Sequence, residues 1–243
     1  MRTLRRSIGW AAGLLLAAMT LLIIWAGVRG KPQDLPWTPL DLGAPIGMAT
    51  GRKLTGLDED FAGCRALLDR AGVRYTTLPP RRDAPRCGYD DALRLTAGGA
   101  RRIALSPADV GMACPVAAAM TMWEWDVVQP AAQRTFGSPV IEIAHYGSYN
   151  CRRIAGRDVR NWSEHATADA LDIAGFRLAD GTRITVARDW RDGGAKAAFL
   201  HKVRDGACRL FATTLSPDYN AAHADHLHLD QASRGSIGWR ACR

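Results

Sequence analysis

Several common enzyme signatures are missing from this chain of 243 residues. It has no Gly-rich phosphate loop, no dinucleotide fingerprint and no Gly-x-Ser-x-Gly elbow, which argues against nucleotide-dependent enzymes and against α/β serine hydrolases. It also has no Cys-x-x-Cys pair, so a zinc site built from thiolates is not indicated. Internal repeats and low-complexity segments are absent from the sequence as well.

Lysine is scarce, with only Lys31, Lys53, Lys196 and Lys202, so arginine carries nearly all the positive charge behind a formal net charge of +8. No block of like charges occurs, so the sequence does not indicate nucleic acid as a partner. An excess of positive charge is favourable for binding an anionic partner such as a phospholipid surface or an anionic cell-wall polymer. A basic surface without a specific polyanion site is the simpler interpretation.

Charged residues are missing from the segment Ile8 to Val28 near the N-terminus. It has about the 20 residues that a helix needs to cross a bilayer, whereas a signal-peptide core has ~7–15. Ala26-Gly27-Val28 is a poor cleavage site. We therefore predict that residues 1–29 are an uncleaved inner-membrane anchor, with the body of the chain in the periplasm. Arg29 and Lys31 weaken the charge asymmetry, and secretion after signal cleavage is the alternative.

Prolines are concentrated in residues 30–50, which have few periodic apolar positions and are predicted to be a linker or an extended arm. The remaining residues, 51–243, are enough for one domain with a single core. Six cysteines are spread through this domain. They are Cys64, Cys87, Cys114, Cys151, Cys208 and Cys242.

An even number of cysteines in an exported domain predicts up to three disulfides. Six cysteines allow many pairings, so the connectivity stays open. Cys208–Cys242 is the pair that we expect, because it would tie the end of the chain back beside a histidine-rich segment.

The apolar pattern predicts an α+β fold: a small, mostly antiparallel sheet that carries the candidate metal residues, with helices packed on one side. Asp180-Gly181 between two β-branched runs predicts a hairpin. Pro130 either breaks the helix before it or starts another one. The other predicted elements are helices at 58–72, 116–128 and 195–208, a loop at 79–88 and a strand at 139–144.

Three of the six histidines lie in the segment His223–His228. Side chains alternate between the two faces of a strand, so His226, His228 and Asp230 would share one face while the two intervening leucines face the core. Asp225 and Asp230 are candidates for orienting the imidazoles of metal ligands, or they are solvated charges at the end of a strand.

A second group of candidate ligands lies upstream. Ala170–Ala174 is strand-like, so Asp172 would come from a rigid element, with His165 in the loop that leads to it. Zinc binds imidazole nitrogen and carboxylate oxygen, and a catalytic site uses three protein ligands and leaves one position open. Two histidines and one aspartate fit that count.

These two segments resemble the motifs of a known group of enzymes. Ser163-x-His165-x-x-Ala168-x-Ala170-x-Asp172 resembles the SxHxxGxAxD motif of the LAS-type zinc peptidases, with Ala168 where that motif usually has glycine. His223-x-x-His226-x-His228 resembles the HxxHxH motif of their murein endopeptidase branch. The stretch from about Leu35 to Arg243 resembles the bacterial extensin-like C-terminal family, in phrases such as Gly147-Ser148-Tyr149-Asn150-Cys151-Arg152.

The resemblance implies a Zn²⁺ site with His165, Asp172 and His228 as ligands. It leaves the catalytic base open between His223 and His226, and it implies substrate binding by Arg152 and Tyr149. The expected activity is hydrolysis of an amide bond in peptidoglycan stem peptides by metal-activated water. A non-catalytic, zinc-containing cell-wall binding or scaffold protein is the alternative, and a disulfide-stabilised domain without metal is a third hypothesis.

Overall fold

The structure is a computed structural model that describes residues 2–154, 161–235 and 239–243. The helices in this part of the chain are α1 (Arg2–Arg29), α2 (Thr50–Thr55), α3 (Phe61–Arg70), α4 (Cys114–Trp123), α5 (Gln129–Phe136), α6 (Val186–Asp189) and α7 (Ala195–Ala207). The strands are β1 (Val73–Thr77), β2 (Arg81–Ala84), β3 (Cys87–Tyr89), β4 (Ala92–Gly99), β5 (Ala104–Ser106), β6 (Met112–Ala113), β7 (Val140–Gly147), β8 (Ala170–Leu178), β9 (Arg183–Thr185), β10 (Thr213–Leu215), β11 (Leu227–Asp230) and β12 (Ala241–Cys242).

Among the described residues, the main sheet has seven strands in the order β12-β10-β11-β8-β7-β5, with β9 paired to β8. Most neighbouring strands pair antiparallel, namely β10–β11, β11–β8, β7–β8 and β8–β9. Two pairs are parallel, namely β5–β7 and β10–β12. Two smaller sheets have the orders β1-β4-β6 and β2-β3. The predicted α+β class with a mostly antiparallel sheet is therefore confirmed, although the main sheet is larger than the small one expected.

Helix α4 forms the centre of the core, and all ten of its residues are buried. A helix that is apolar on every side belongs inside a protein rather than on its surface. Trp123 of α4 packs on Phe176 of β8 with ring centroids 5.9 Å apart, and its Nε1–H donates to the carbonyl of Val203 in α7 at 2.8 Å. Phe176 also meets Phe199 of α7 edge-on at 5.1 Å. These contacts fix α4 and α7 against β8.

Pro130 neither breaks the helix nor starts a separate one. The backbone stays helical from Cys114 to Phe136, and α4 and α5 are joined by a π-helical segment, Glu124–Val128, that ends just before Pro130. Glu124 is buried, pairs with buried Arg101 at 2.8 Å and accepts the N–H groups of Arg102 and Ile103. No sequence pattern indicated this buried ion pair.

Two predicted elements need correction. Residues 79–88 are not a loop, because they contain the hairpin of β2 and β3. Both strands are short and β2 is exposed, so they have no apolar alternation that would have identified them. The predicted helix at 58–72 begins later, at Phe61, because the carboxylate of Asp60 accepts the N–H of Gly63 and caps the helix there.

Three disulfides join Cys64 to Cys114, Cys87 to Cys151 and Cys208 to Cys242. The pair predicted from the sequence, Cys208–Cys242, is confirmed. The second disulfide attaches the hairpin of β2 and β3 to the segment that follows β7. It thus fixes a region next to the candidate site described below.

Helix α1 contains the window Gly9–Gly27, whose mean hydropathy of 2.0 is high enough for a membrane span or a signal sequence. The residues after it form an arm that is docked on the domain. Gln33 is buried and its Oε1 accepts from Nζ of Lys53, while Leu42 belongs to the hydrophobic core. Only Gly30 and Lys31 separate α1 from the first turn of this arm, Pro32–Asp34.

Candidate metal centre

The pairing of β8 with β11 brings two of the candidate ligands together. In the antiparallel register, His228 lies directly opposite Asp172. Residues in this relation have Cβ atoms about 5 Å apart, so their side chains meet on one face of the sheet. Leu227 and Leu229 are fully buried on the core side, which fixes the face that His228 presents.

His165 reaches the same point from the 3₁₀ turn Glu164–Thr167, which Ser163 caps. Its Nε2 lies 3.2 Å from Oδ1 of Asp172 and 3.1 Å from Nδ1 of His228, and the last two atoms are 3.0 Å apart. In a tetrahedral zinc site, neighbouring ligand atoms are about 3.3–3.5 Å apart. The three atoms therefore need only a small outward adjustment to hold one ion, and their types suit zinc and other first-row divalent metals.

The remaining ring nitrogens define where the protons lie. Nδ1 of His165 is 2.5 Å from the carbonyl oxygen of Ser148, which can only accept, so Nδ1 carries the hydrogen and Nε2 presents a lone pair. Nε2 of His228 is 3.0 Å from a carboxylate oxygen of Asp230 and donates to it in the same way. Two lone pairs and a carboxylate thus converge, and this arrangement calls for a cation between them.

Without a metal, a proton fills that role. Burial alone would lower the pKa of His228, but hydrogen bonds and charges from Asp172 and Asp230 outweigh it and raise the pKa to about 9. Burial likewise opposes the charge on Asp172, yet its close contacts with the imidazoles of His165 and His228 hold its pKa well below the usual range. A metal ion would have to displace this proton, as ligand histidines bind metal in their neutral form.

His226 and His223 lie beside these three candidate ligands. Nδ1 of His226 is 2.8 Å from a carboxylate oxygen of Asp225, and its Nε2 is 3.5 Å from Asp172. Nδ1 of His223 is 2.7 Å from Oδ1 of Asn220, and its ring centroid is 5.2 Å from that of His226. Burial, together with repulsion from His228 and His226, lowers the pKa of His223 to about 4. His223 is therefore neutral at pH 7.

A groove of about 1150 Å³ opens over these histidines. His223, His226 and His228 line it, and so does Arg152, whose carbonyl accepts the N–H of Ser163 beside the candidate ligands. Tyr149 does not line this groove. Its hydroxyl donates to Asp83 at 2.8 Å and the guanidinium of Arg81 lies 4.3 Å from its ring centroid, on the wall of a different cavity.

Two residues at the site were not predicted from the sequence. The carbonyl of Ser148 orients His165, but a backbone atom leaves no trace in a residue pattern. Tyr146 packs edge-on against His226, with ring centroids 5.8 Å apart, although it is largely exposed. Gly147, between these two residues, has a positive φ of +112°, and the register of β7 against β8 is irregular at this point.

The fold and the site together define a disulfide-bonded α+β domain in which a buried His/Asp group could hold a metal ion. A comparison with protein families adds a second finding: the family model described as "Extensin-like protein C-terminus" matches residues 62–243. The chain belongs to this extensin-like C-terminal family. No curated protein and no solved structure matches the chain. The matched residues include all six cysteines and all the histidines of the site.

Proposed function

We propose that the chain is a membrane-tethered, zinc-dependent peptidase that acts on peptidoglycan stem peptides from the periplasmic side. The observation that carries this proposal is the convergence of His165 Nε2, His228 Nδ1 and Asp172 Oδ1, 3.0–3.2 Å apart, beneath an open groove. Each of the two imidazoles donates its other N–H to a fixed acceptor, which is the arrangement that metal-ligand histidines use.

His165, Asp172 and His228 would hold the ion. Bound zinc would lower the pKa of a water molecule and polarise the carbonyl of the scissile amide. His223 would accept a proton from that water, because its Nδ1–H is committed to Asn220 and its Nε2 lone pair is left as an acceptor. A pKa of about 4 keeps His223 unprotonated but also makes it a weak base. His226, whose Nδ1 is held by Asp225, therefore stays as the alternative base.

The pH profile separates the two candidate bases. An acid limb of kcat/KM near pH 4, abolished in His223→Gln, would identify His223. In the groove, Arg152 would bind a carboxylate of the peptide through a bidentate pair of hydrogen bonds. Tyr149 is engaged elsewhere through Asp83, so we assign it no direct contact with substrate at the metal.

The first test is the metal content of the purified, zinc-loaded protein beside two ligand variants and one control. We expect about one zinc per chain, lost in His165→Ala and in His228→Ala. His201→Ala is the matched control, because His201 packs on Trp190 outside the cluster and its loss should leave the zinc in place.

Incubation of the zinc-loaded protein with muropeptides, followed by mass spectrometry, tests the activity. New stem-peptide products that depend on the zinc would support the peptidase. Zinc without products would favour the alternative of a non-catalytic cell-wall binding or scaffold protein. A wild-type protein that retains no zinc after dialysis would remove the basis of both.

A further inference from the structure

A small cavity, of about 150 Å³, is next to the groove over the candidate metal centre. Arg234 and Trp239 line both spaces, and the guanidinium carbon of Arg234 is 5.2 Å from the ring centroid of Trp239. Cavities that hold drug-sized ligands have about 300–1,000 Å³, so this one has room for a single small group.

Among the described residues that line this cavity there are three arginines and no carboxylate. They are Arg52 of α2, Arg234 and Arg240. In the described part of the chain, Arg52 and Arg240 form no ion pair, while Nη2 of Arg234 is 4.0 Å from Oδ1 of Asp230, which lines the groove instead. The segment 231–243 contains no Asp or Glu. Burial lowers the pKa of Arg240 to about 10, so this guanidinium is partly desolvated and still charged at pH 7.

Backbone atoms hold Arg240 in place. Its Nη1 donates to the carbonyl of Arg209 at 3.0 Å and its Nη2 to the carbonyl of Leu210 at 3.2 Å, and the first of these bonds is exposed to solvent. The guanidinium lies against Gly51, where an added Cβ would be 1.7 Å from Nη1. Gly51 is the neighbour of Arg52, so the two arginines meet at the same part of α2, and a ligand in the cavity can reach both.

Arg234 is fixed to the same stretch of chain. Its Nη1 donates to the carbonyl of Ala212 at 3.2 Å, and its Nη2 donates to the hydroxyl of Thr213. Ala212 is two residues beyond Leu210, whose carbonyl accepts from Arg240. The fold therefore gathers positive charges that are scattered in the sequence. Charges that are partly removed from water are normally paired, so this cluster indicates an anion from outside the chain.

We propose that this cavity binds a phosphate group. Its oxygens would accept from Arg52 and Arg240, with Arg234 as a third donor on the side of the groove. The planar fork of a guanidinium matches phosphate oxygens, and each hydrogen bond would be charge-assisted. A phosphomonoester carries a charge of about −1.5 to −2 at pH 7, which balances the two arginines that have no ion pair, whereas a carboxylate would balance only one.

A soluble phosphomonoester and a lipid headgroup both carry this group. Nζ of Lys53 donates to the carbonyl of Pro32 at 3.2 Å, so the helix that carries Arg52 lies against the first turn after α1. This contact gives a lipid headgroup a route to the cavity if α1 crosses a bilayer. The lipid source rests on the proposed membrane tether, whereas phosphate binding itself rests neither on the tether nor on the metal.

Calorimetric titration of the full chain in detergent with inorganic phosphate, sulfate and acetate tests the binding. The protein is first freed of metal by EDTA and dialysed, because phosphate also coordinates zinc. We expect phosphate and sulfate to bind about tenfold or more tightly than acetate, because a doubly charged ion engages both of the arginines without ion pairs.

Two variants test the cavity. Arg52→Gln and Gly51→Ala should each weaken phosphate binding by about tenfold. Gly51→Ala keeps every charge but displaces the guanidinium of Arg240, so it separates a built site from general attraction. Arg70→Gln is the matched control and should bind like the wild type, because Arg70, like Arg52, is an exposed arginine in the last turn of a helix.

Three outcomes would overturn the proposal: no binding of phosphate, equal affinity for acetate, or wild-type affinity in both cavity variants. An equal loss in Arg70→Gln would overturn it too, since binding would then follow net charge alone. The titration needs no metal, so its result is separate from that of the peptidase assay. Phosphate binding by a protein that shows no zinc-dependent hydrolysis would support the cavity site and contradict only the peptidase.

The full chain reconstituted in lipid nanodiscs distinguishes the two sources. If a lipid headgroup occupies the cavity, discs with phosphatidic acid should raise the Kd for inorganic phosphate about tenfold over discs with phosphatidylglycerol at equal surface charge. If the ligand is a soluble phosphomonoester, the Kd should be the same in both kinds of disc. The phosphatidylglycerol discs control for repulsion of phosphate by an anionic surface.

Discussion

His228 is held between two carboxylates, so a metal ion bound as we propose would compete with a proton for the same nitrogen. Because the pKa of His228 is about 9 without metal, zinc binding should release this proton. We expect zinc affinity to rise up to about tenfold per pH unit between pH 7 and 9 and to level off above that range. Competition with a chelator at several pH values measures it, and an affinity that is flat over this range would contradict the assignment.

The same proton links pH to stability in the metal-free protein. A folded pKa of about 9 lies above the unfolded value of about 6.5, so the stabilisation is complete below pH 6.5 and is lost as pH rises through 9. Thermal melts in EDTA should show this decline in the wild type. They should show a smaller decline in His228→Asn, which has no titrating imidazole at this position.

Asp230 contacts His228 and would act on a bound metal ion through this imidazole rather than by direct contact. Replacing it by asparagine removes the charge that orients the ligand imidazole, and such changes lower metal affinity by about 10–100-fold. Asp225→Asn is the matched control because Asp225 holds His226, which we do not count among the ligands. Zinc titrations of the two variants should therefore differ, and similar losses in both would place His226 in the ligand set.

At the scale of the element, the turn between the 3₁₀ segment and β8 depends on Ala168. This residue is fully buried and has φ 60° and ψ 17°, the left-handed region that favours glycine. The motif that the segment resembles has glycine at this position, and the geometry gives the reason.

We expect Ala168→Gly to change the free energy of unfolding by less than about 1 kcal/mol, because relief of backbone strain offsets the lost methyl burial. Ala168→Val should lower it by more than about 2 kcal/mol, since a β-branched residue is strained in this region and overfills the site. Urea unfolding of the two variants measures the difference. A valine variant as stable as the glycine variant would show that the turn can adopt another conformation.

The elements that were predictable have an apolar face. The alternation of Leu227 and Leu229 with polar residues predicted strand β11. The Asp180-Gly181 turn predicted the hairpin of β8 and β9. The hairpin of β2 and β3 was missed because its strands bury little and are attached through Cys87. The buried ion pair of Glu124 with Arg101 was not predicted, because it joins residues that lie far apart in the sequence.

The candidate site was predictable in its residues more than in its environment. The resemblance to the zinc peptidase motifs implied His165, Asp172 and His228 as ligands, and the structure brings these three residues to one point. The same resemblance implied that Tyr149 and Arg152 bind substrate together. The two residues face different cavities, since the disulfide at Cys151 lies between them and draws Tyr149 toward Asp83 in the hairpin.

At the scale of the whole molecule, the Cys87–Cys151 disulfide holds the groove wall that carries Arg152. Replacing both cysteines by alanine should lower stability by about 2–4 kcal/mol. It should also raise KM for stem peptides, because Arg152 loses its fixed position, while zinc content stays the same.

The paired substitution Cys64→Ala with Cys114→Ala is the comparison, because that disulfide joins α3 to α4 in the core. It should cost similar stability with KM unchanged. Chemical unfolding and steady-state kinetics on both variants measure this. An unchanged KM in the Cys87/Cys151 variant would mean that the groove wall keeps its shape without the disulfide.

The docked arm has a further consequence for any molecule in which α1 spans a membrane. Between the end of α1 at Arg29 and the turn that begins at Pro32 there are only Gly30 and Lys31. Two residues extend over about 7 Å at most. The domain would then be held close to the bilayer and could not move outward into a thick polymer layer. Its substrate would therefore have to approach the bilayer surface.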